Sequence, residues 1–227
     1  YIFSLKNNLI SLNNIFECSS NKYLDKFVFI SSDKAVKPLN IMGMSKRVGE
    51  IMVNSMNKIN KNNSFISVRF GNVIGSSGSL FQIFKRQVDQ NLPLTITHKD
   101  TTRYFMTIYD AINLVINAPD VKSKAGILIL DMGKPIKIID IAKKFISFKS
   151  DYNQKLNFIG LRRGEKLHEE LFNHKYLIET DNQLIKGENV NFSYSKKEIS
   201  DFIFKVRNLD NEPKMYVKKL LKTFYKF

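Results

Sequence analysis

The sequence predicts an α/β fold built on a doubly wound, mainly parallel sheet. Two short apolar runs, 26–31 and 64–70, have the unbroken hydrophobicity of strands that are buried on both faces. Each run is followed by a loop and then by a segment with apolar residues three and four positions apart, as in a helix. This alternation is typical of parallel βαβ units and favours a Rossmann-like sheet.

The predicted elements continue in the same order along the chain. A helix over 5–18 precedes the first strand, and the later elements are helices at 41–56, 81–88, 108–117 and 138–148 and strands at 94–97 and 126–130. The segment from Asp151 is more irregular and ends in two basic amphipathic helices. We therefore predict a partial catalytic core over 1–150, with substrate-side insertions from 72 to 107, and a smaller substrate-binding, helical lobe over 151–227.

Composition excludes several classes of protein. With 227 residues and 43% hydrophobic content, the chain can bury a sizeable core. No apolar stretch approaches the roughly 20 residues that cross a bilayer, and no leader sequence opens the chain. The lone Cys18 is predicted to fill the core, as isolated thiols usually do. We expect a soluble, cytoplasmic chain.

The charge balance is strongly basic, with 36 Lys and Arg against 21 Asp and Glu, giving +15. Such a balance can indicate nucleic acid, an anionic membrane or phosphate as a partner. The lysines are spread along the whole chain, and they form no arginine-rich stripe or aromatic-interleaved platform. We therefore expect no nucleic-acid partner. We also expect no metal, because the three histidines, His98, His168 and His174, lack metal-ligand spacing.

Polar groups follow the first predicted strand directly, in the run Ser31-Ser32-Asp33-Lys34. Open α/β sheets bind ligands at the carboxyl ends of their strands, so this junction is a candidate site. Lys46 follows Lys34 by twelve residues, on a predicted helix that places it on the same face as Met42. An Asp-Lys pair by itself is also common in solvated turns, so the flanking sequence has to decide.

The flanking sequence carries a resemblance. The run Phe27–Pro38 and the following Asn40–Arg47 resemble the active-site stretch of the UDP-N-acetylglucosamine 4,6-dehydratases of polysaccharide biosynthesis, which are extended short-chain dehydrogenase/reductases. The resemblance covers residues 5 to 175 in order, and its combination of short pieces is specific. It continues through Val68-Arg69-Phe70-Gly71-Asn72-Val73, Thr102-Arg103-Tyr104-Phe105-Met106-Thr107, Asp131-Met132-Gly133 and 160–171.

The resemblance implies a reaction and a set of catalytic residues. The family oxidises C4 of the sugar with NAD, rather than NADP, removes water across C5 and C6, and returns hydride to C6. By resemblance, Lys34 removes the C5 proton, and a nearby cation such as Lys46 favours its neutral form. Asp33 would protonate the departing 6-hydroxyl, and Ser32 would hydrogen bond the 4-hydroxyl.

The resemblance also assigns residues to the cofactor. Lys46 is expected to hold the nicotinamide ribose and to place positive charge beside the developing alkoxide. Ser31 and Asn8 are expected as further cofactor contacts. Met42 lies where the superfamily normally has a tyrosine, four residues before its lysine; the larger, membrane-anchored dehydratases are similar in having methionine there. The usual tyrosine base is therefore absent, and Met42 is counted with the active-site residues.

Four residues are expected to bind the UDP-sugar. Arg103 and Arg162 offer paired donors to the diphosphate, Asn72 an amide to the sugar or diphosphate, and Glu165 a carboxylate to a ribose hydroxyl. The family usually has proline at Arg163, so the loop beside Arg162 departs from its pattern.

A second glycine pattern offers a competing interpretation. Gly71-x-x-x-Gly75-x-x-Gly78 follows a strand and opens a helix, as the dinucleotide fingerprint does. That fingerprint belongs on the first strand of such a sheet, whereas a strand with its own polar loop precedes this one. The resemblance instead places the fingerprint before Tyr1. We expect membrane attachment, if any, only through that upstream region, with the catalytic part facing the cytoplasm.

Three functions stay open on the sequence. The first is a 4,6-dehydratase that forms a homo-oligomer, of which this segment alone is expected to be inactive. The second is a nucleotide-sugar 4-epimerase, which needs no base at C5 and no acid at the 6-hydroxyl. The third is a non-catalytic module that binds a UDP-sugar.

Overall fold

The computed structural model describes residues 1–19, 24–60, 64–148 and 155–225. The chain divides into two compact units, each assembled from separate segments. The first unit contains 1–70, 114–131 and 170–227, and the second contains 71–113 and 132–169. The sequence analysis instead predicts one division of the chain, at residue 150, between a catalytic core and a smaller lobe. That division stays a prediction.

The described residues form seven helices and eleven strands. The helices are α1 (Ile2–Cys18), α2 (Ile41–Ile59), α3 (Leu80–Asp89), α4 (Ile108–Asn117), α5 (Ile138–Ser147), α6 (Lys196–Arg207) and α7 (Lys214–Phe224). The strands are β1 (Lys26–Ile30), β2 (Ser64–Arg69), β3 (Asn72–Val73), β4 (Leu94–Ile96), β5 (Thr102–Arg103), β6 (Phe105–Met106), β7 (Ile127–Leu130), β8 (Ile136–Lys137), β9 (Leu156–Phe158), β10 (Leu177–Ile178) and β11 (Ile185–Glu188).

The first unit is built on a five-stranded sheet with the order β1-β2-β7-β11-β10. The pairs β1–β2 and β2–β7 are parallel, which confirms the predicted class. Strands β11 and β10 extend the sheet in antiparallel pairings that the sequence analysis did not predict. The sheet is therefore mixed, and the chain after residue 170 contributes strands to it as well as helices.

Strand β1 is less buried than the sequence predicts. The expectation of burial on both faces holds for β2, where Phe65, Val68 and Arg69 are buried, but it is wrong for β1. Lys26 and Ile30 are exposed, and the residues between them are half-buried. The reason is its position at the edge of the sheet, because β2 is the only described strand that pairs with β1.

Helices α1, α2, α6 and α7 pack together in the first unit. Helix α6 begins with a capping box in which Ser195 and Glu198 satisfy each other's backbone amides.

Cys18 is exposed at the end of α1, so the prediction that it fills the core is wrong. Among the described residues, no helix is both long and apolar enough to cross a bilayer.

The second unit has its own core and three two-stranded pairings, β3–β6, β4–β9 and β5–β8. Its core includes Phe84 and Val88 from α3, Leu94 and Ile96 from β4, and Ala142 from α5. Two of the predicted helices and one predicted strand thus supply this core.

The interior of the first unit holds a cluster of four charged side chains, Arg47, Glu50, Arg69 and Glu188. The guanidinium of Arg69 bonds both oxygens of Glu50, with Nε to Oε1 at 2.9 Å and Nη2 to Oε2 at 2.8 Å. It also bonds both oxygens of Glu188, at 2.8 and 3.2 Å. Arg47 Nη1 bridges the two carboxylates at 3.0 and 3.3 Å. Two positive charges therefore face two negative charges, and the cluster is neutral.

Burial makes this pairing consequential. Arg69 and Glu50 are 0% exposed, and Glu188 is 1% exposed. Burial by itself raises the pKa of Glu50, but the charges and hydrogen bonds of Arg69, then Arg47, outweigh it and hold that pKa below its ordinary value. Burial lowers the pKa of Arg69, and the two glutamates outweigh it in the opposite direction. Both shifts favour the charged forms, so Glu50 and Arg69 are ionised at neutral pH.

Replacing Arg69 tests the cluster. Arg69→Met keeps the volume and leaves two buried carboxylates with Arg47 alone, so we expect the free energy of unfolding to fall by about 3–5 kcal/mol. Urea unfolding at pH 7 measures it. Lys85→Met is the matched control, because Lys85 forms an exposed pair with Asp89 and its loss should be undetectable. Equal effects of the two substitutions would contradict the role of the cluster.

Acid provides an independent test of Glu50. Its pKa in the folded state lies below the ordinary 4.5, so its contribution to stability is complete above pH 4.5 and disappears as the pH falls through the folded value. The difference in unfolding free energy between the parent and Glu50→Gln should therefore shrink as the pH is lowered below 4.5. If this difference in unfolding free energy stayed constant until Glu50 was fully protonated, the lowered pKa of Glu50 would be contradicted.

Candidate functional site

A short turn at the carboxyl end of β1 brings together three of the predicted catalytic residues. Ser31 N–H donates to the Val68 carbonyl and Asp33 N–H to the Phe70 carbonyl, so the chain follows β2 beyond the end of the strand. Asp33–Ala35 then forms one turn of 3-10 helix, and Ser32 Oγ accepts the Lys34 amide at 3.2 Å as its cap. The turn therefore has a fixed backbone with every one of these amides bonded.

Within the turn, the Asp33 carboxylate is the central group. Lys34 Nζ donates to Asp33 Oδ1 at 2.9 Å, and Ser32 Oγ donates to the same oxygen at 2.9 Å. Asp33 is 1% exposed, and its other oxygen, Oδ2, has no hydrogen-bond partner among the described residues. The predicted residues Ser32, Asp33 and Lys34 thus form one hydrogen-bonded group. Within the described residues, Asp33 Oδ2 is still available to accept a hydrogen bond.

Helix α2 approaches this turn very closely because of a glycine. A Cβ on Gly43 would lie 2.2 Å from the Lys34 carbonyl oxygen, so only glycine permits this approach. Helix α2 begins at Ile41 because Asn40 caps it: the side-chain oxygen of Asn40 accepts a hydrogen bond from the Gly43 amide at 2.9 Å. Gly43 thereby fixes the distance between the helix and the turn.

Lys46 lies on α2 and reaches the end of β1. Its Nζ donates to the Ile30 carbonyl at 3.1 Å and sits 5.0 Å from the centre of the Phe29 ring. Burial lowers the pKa of Lys46, and the negative charge of Glu50 opposes that shift. Met42, one turn earlier, is 38% exposed. Lys46 thus lies at the strand end, and Met42 lies one turn before it on the same helix, as the spacing predicts.

The two other predicted cofactor contacts have partners within the protein. Ser31 is buried, and its Oγ donates to Glu50 Oε1 at 2.7 Å. Asn8 Nδ2 donates to Ser45 Oγ at 2.9 Å, and that hydroxyl donates to the Met42 carbonyl. A role for Ser31 or Asn8 toward a cofactor stays a prediction.

In the second unit, Arg103 and Glu165 form an ion pair with each other. Arg103 Nη2 lies 2.8 Å from Glu165 Oε1, and the arginine is 7% exposed. Thr97 donates to the same oxygen, and the Arg162 amide donates to Oε2. The side chain of Arg162 is exposed. Three of the predicted substrate residues therefore lie in one cluster, in which Glu165 orients Arg103.

Asn72 lines a cavity of about 270 Å³ in the second unit. The cavity is formed by the turn 76–79, the start of α3 and Phe105. Gly75 and Gly78 of the competing fingerprint have positive φ angles of 81° and 71°. The Ser79 hydroxyl is buried and has no hydrogen-bond partner within the described ranges. This glycine pattern therefore shapes a cavity at a helix N-terminus, where anions bind readily.

The buried charged residues next to the turn were not predicted as functional from the sequence. Glu50, Arg69 and Glu188 received no role, although Arg69 was quoted within a motif. The available signal was Arg69, a charged residue between Val68 and Phe70 at the end of an apolar run. In the described parts of the chain, no three His, Cys, Asp or Glu side chains are grouped so as to hold a metal ion.

A family model described as polysaccharide biosynthesis protein matches residues 2–186. The chain belongs to the polysaccharide biosynthesis protein family. The capsular polysaccharide biosynthesis protein CapD of Staphylococcus aureus is 45% identical over 172 residues, which cover 75% of this chain and 29% of that protein. A UDP-glucose 4-epimerase of Rickettsia bellii is 29% identical, over 78% of this chain and 52% of its own. The chain thus spans only about a third to a half of these relatives.

Solved structures confirm the Rossmann-like α/β class for this family member. Pen from Bacillus thuringiensis matches with a TM-score of 0.73 and 28% identity, over 87% of this chain and 67% of that one. The dTDP-glucose 4,6-dehydratase of Bacillus anthracis, in complex with NAD, matches with a TM-score of 0.64 over 75% of this chain and 60% of that one. Its identity is 12%, so that likeness concerns the fold alone.

The close approach at Gly43 yields a test of the turn. In Gly43→Ala, the new Cβ meets a backbone carbonyl that cannot move without the turn, so we expect a loss of about 1–3 kcal/mol in unfolding free energy and displaced amide resonances over 32–36. Gly49→Ala is the matched control in the same helix. Its Cβ meets the far end of the Phe29 ring at 2.6 Å, a group that can rotate, so those resonances should change less. Unchanged resonances in Gly43→Ala would contradict the contact.

Proposed function

We propose that this protein is a nucleotide-sugar 4,6-dehydratase that converts UDP-N-acetylglucosamine to a UDP-4-keto-6-deoxy sugar in polysaccharide biosynthesis. The observation that carries the proposal is the Asp33–Lys34 pair. A buried carboxylate with one free oxygen lies 2.9 Å from an ammonium group, at the strand end where such sheets bind ligands. Elimination of water across C5 and C6 needs one base and one acid, and this pair can supply both.

The proton inventory of the pair fits the elimination. Transfer of one proton from Lys34 Nζ to Asp33 Oδ1, along their hydrogen bond, turns the ion pair into a neutral amine and a neutral acid. The amine of Lys34 then takes the C5 proton, and the acid of Asp33 gives its proton to the 6-hydroxyl, which leaves as water. The step ends with the original ion pair restored, so no outside proton is consumed.

NAD is the proposed cofactor, and when bound it would supply the exchange of hydride with the sugar that the reaction needs. The residues of this chain fit the nicotinamide end of such a site. Lys46 sits at the carboxyl end of β1 with a lowered pKa, and its positive charge would stabilise the alkoxide that forms at C4. Ser32, bonded to Asp33, can turn its hydroxyl toward the 4-hydroxyl of the sugar.

The substrate residues are proposed on chemical grounds. Arg103 is held by Glu165, which keeps its guanidinium in one orientation suited to a phosphate. Arg162, with its exposed side chain, and Asn72, which lines the cavity at the start of α3, are proposed contacts of the UDP group. Homo-oligomer formation, a cytoplasmic location and membrane attachment of a longer parent stay predictions.

A nucleotide-sugar 4-epimerase is the second candidate, and the Rickettsia bellii relative named UDP-glucose 4-epimerase favours it. Epimerisation at C4 removes and returns hydride at the same carbon, and it leaves C5 and C6 untouched. It needs no base at C5 and no acid at the 6-hydroxyl, which are the two roles proposed for Lys34 and Asp33 in dehydration. The two functions are therefore separated by what happens when this pair is altered.

The deciding test is incubation of the full-length gene product with UDP-N-acetylglucosamine and NAD, followed by NMR. We expect signals of a 4-keto-6-deoxy sugar, and we expect Lys34→Ala and Asp33→Asn each to lower its rate by about 10²–10⁴-fold. Lys37→Ala is the matched control, because Lys37 lies only three residues after Lys34 but forms an exposed ion pair with Glu170. A C4 epimer as product, at rates unaffected by Lys34→Ala, would replace the dehydratase with the epimerase.

A further inference from the structure

Two successive residues at the end of β1 are held from the same helix. Lys46 Nζ donates to the carbonyl of Ile30, and Glu50 Oε1 accepts the hydroxyl of Ser31 at 2.7 Å. Lys46 and Glu50 are four residues apart on α2, so they lie on one face, one turn apart. The helix therefore holds the chain just before the turn Ser32–Lys34.

The Glu50 carboxylate is fully occupied by donors. Oε1 accepts Ser31 Oγ and Arg69 Nε, and Oε2 accepts Arg69 Nη2 and Arg47 Nη1 at 3.0 Å. Arg69 is itself fixed by Glu188 and by the Leu171 carbonyl at 2.9 Å. Because every partner is buried, the Glu50 carboxylate is held in one position. Its hydrogen bond with Ser31 Oγ therefore restrains Ser31 as well.

From these contacts we propose that Glu50 is a positioning residue for the catalytic turn, acting through the hydroxyl of Ser31. The proposal rests on the proposed function, because it gives the turn its catalytic meaning. Glu50 acts twice in this arrangement. It sets where β1 ends by holding Ser31, and its charge faces Lys46 one turn away. Ser31 is then a link between Glu50 and the turn, rather than a contact of the cofactor.

The link can be cut without damaging the charge cluster. Ser31→Ala deletes one donor to Glu50 and leaves the three from Arg69 and Arg47 in place. Ser31→Thr keeps the hydroxyl and should restore the link. Ser67→Ala is the matched control: Ser67 lies on the neighbouring strand β2, it is 0% exposed, and its hydroxyl has no partner among the described residues.

Amide hydrogen exchange tests the proposal without any assumption about activity. In Ser31→Ala, the amides of Asp33, Ala35 and Val36, which are hydrogen-bonded in the turn, should exchange about tenfold faster, while amides in the middle of β2 stay unchanged. Ser31→Thr and Ser67→Ala should both match the parent. Parent-like exchange in Ser31→Ala, or equal acceleration in Ser67→Ala, would overturn the proposal.

Kinetics of the full-length protein then add the functional consequence. We expect Ser31→Ala to lower kcat about tenfold, with KM within twofold of the parent, and Ser31→Thr to recover kcat. If the parent turns over no UDP-sugar but the exchange result holds, the proposed function fails and the positioning role stands. If the parent is active and Ser31→Ala keeps its kcat, the positioning role fails and the proposed function stands.

Discussion

The pairing of Arg69 with Glu50 is the interaction on which the rest of the first unit depends. It is bidentate, fully buried, and shared with Glu188 and Arg47, so it joins strand β2, next to the edge strand of the sheet, to α2 and to β11. Burying four charges costs solvation free energy, and such a cluster stabilises a fold only when its geometry satisfies every member. That requirement fixes the relative positions of three elements more narrowly than apolar packing does.

The candidate catalytic groups depend on the same elements. Helix α2 carries Met42, Lys46 and Glu50 on successive turns, and its Gly43 allows contact with the Lys34 carbonyl. Strand β1 is an edge strand with exposed ends, so its own pairing restrains it on one side only. The contacts of Lys46 with Ile30 and of Glu50 with Ser31 restrain it from the helix as well. The position of the turn therefore depends on α2 as well as on its backbone hydrogen bonds to Val68 and Phe70.

Family membership and chemistry contribute different parts of the functional conclusion. The match over 2–186 places the chain in the polysaccharide biosynthesis protein family. A protein named as an epimerase is similar to it in sequence, and one named as a dehydratase is similar to it in fold. A shared fold does not choose between these reactions. In the proposed dehydration, Asp33 and Lys34, whose side chains lie 2.9 Å apart, would supply the acid and the base that removal of water across C5 and C6 needs.

The sequence by itself determined the class of fold, most of the helices and the candidate residues Ser32, Asp33 and Lys34, which the structure brings together in one turn. Hydrophobic periodicity and the resemblance both depend on residues close together in the chain, and local patterns preserve that information. Only the tertiary structure decided that β1 lies at an edge, that β10 and β11 join the sheet, and that Glu50, Arg69 and Glu188 meet. Glu188 lies 119 residues beyond Arg69, and no periodicity connects residues so far apart. Contacts between distant segments are decided by packing and by the need to satisfy buried charge, which become definite only when the chain has folded.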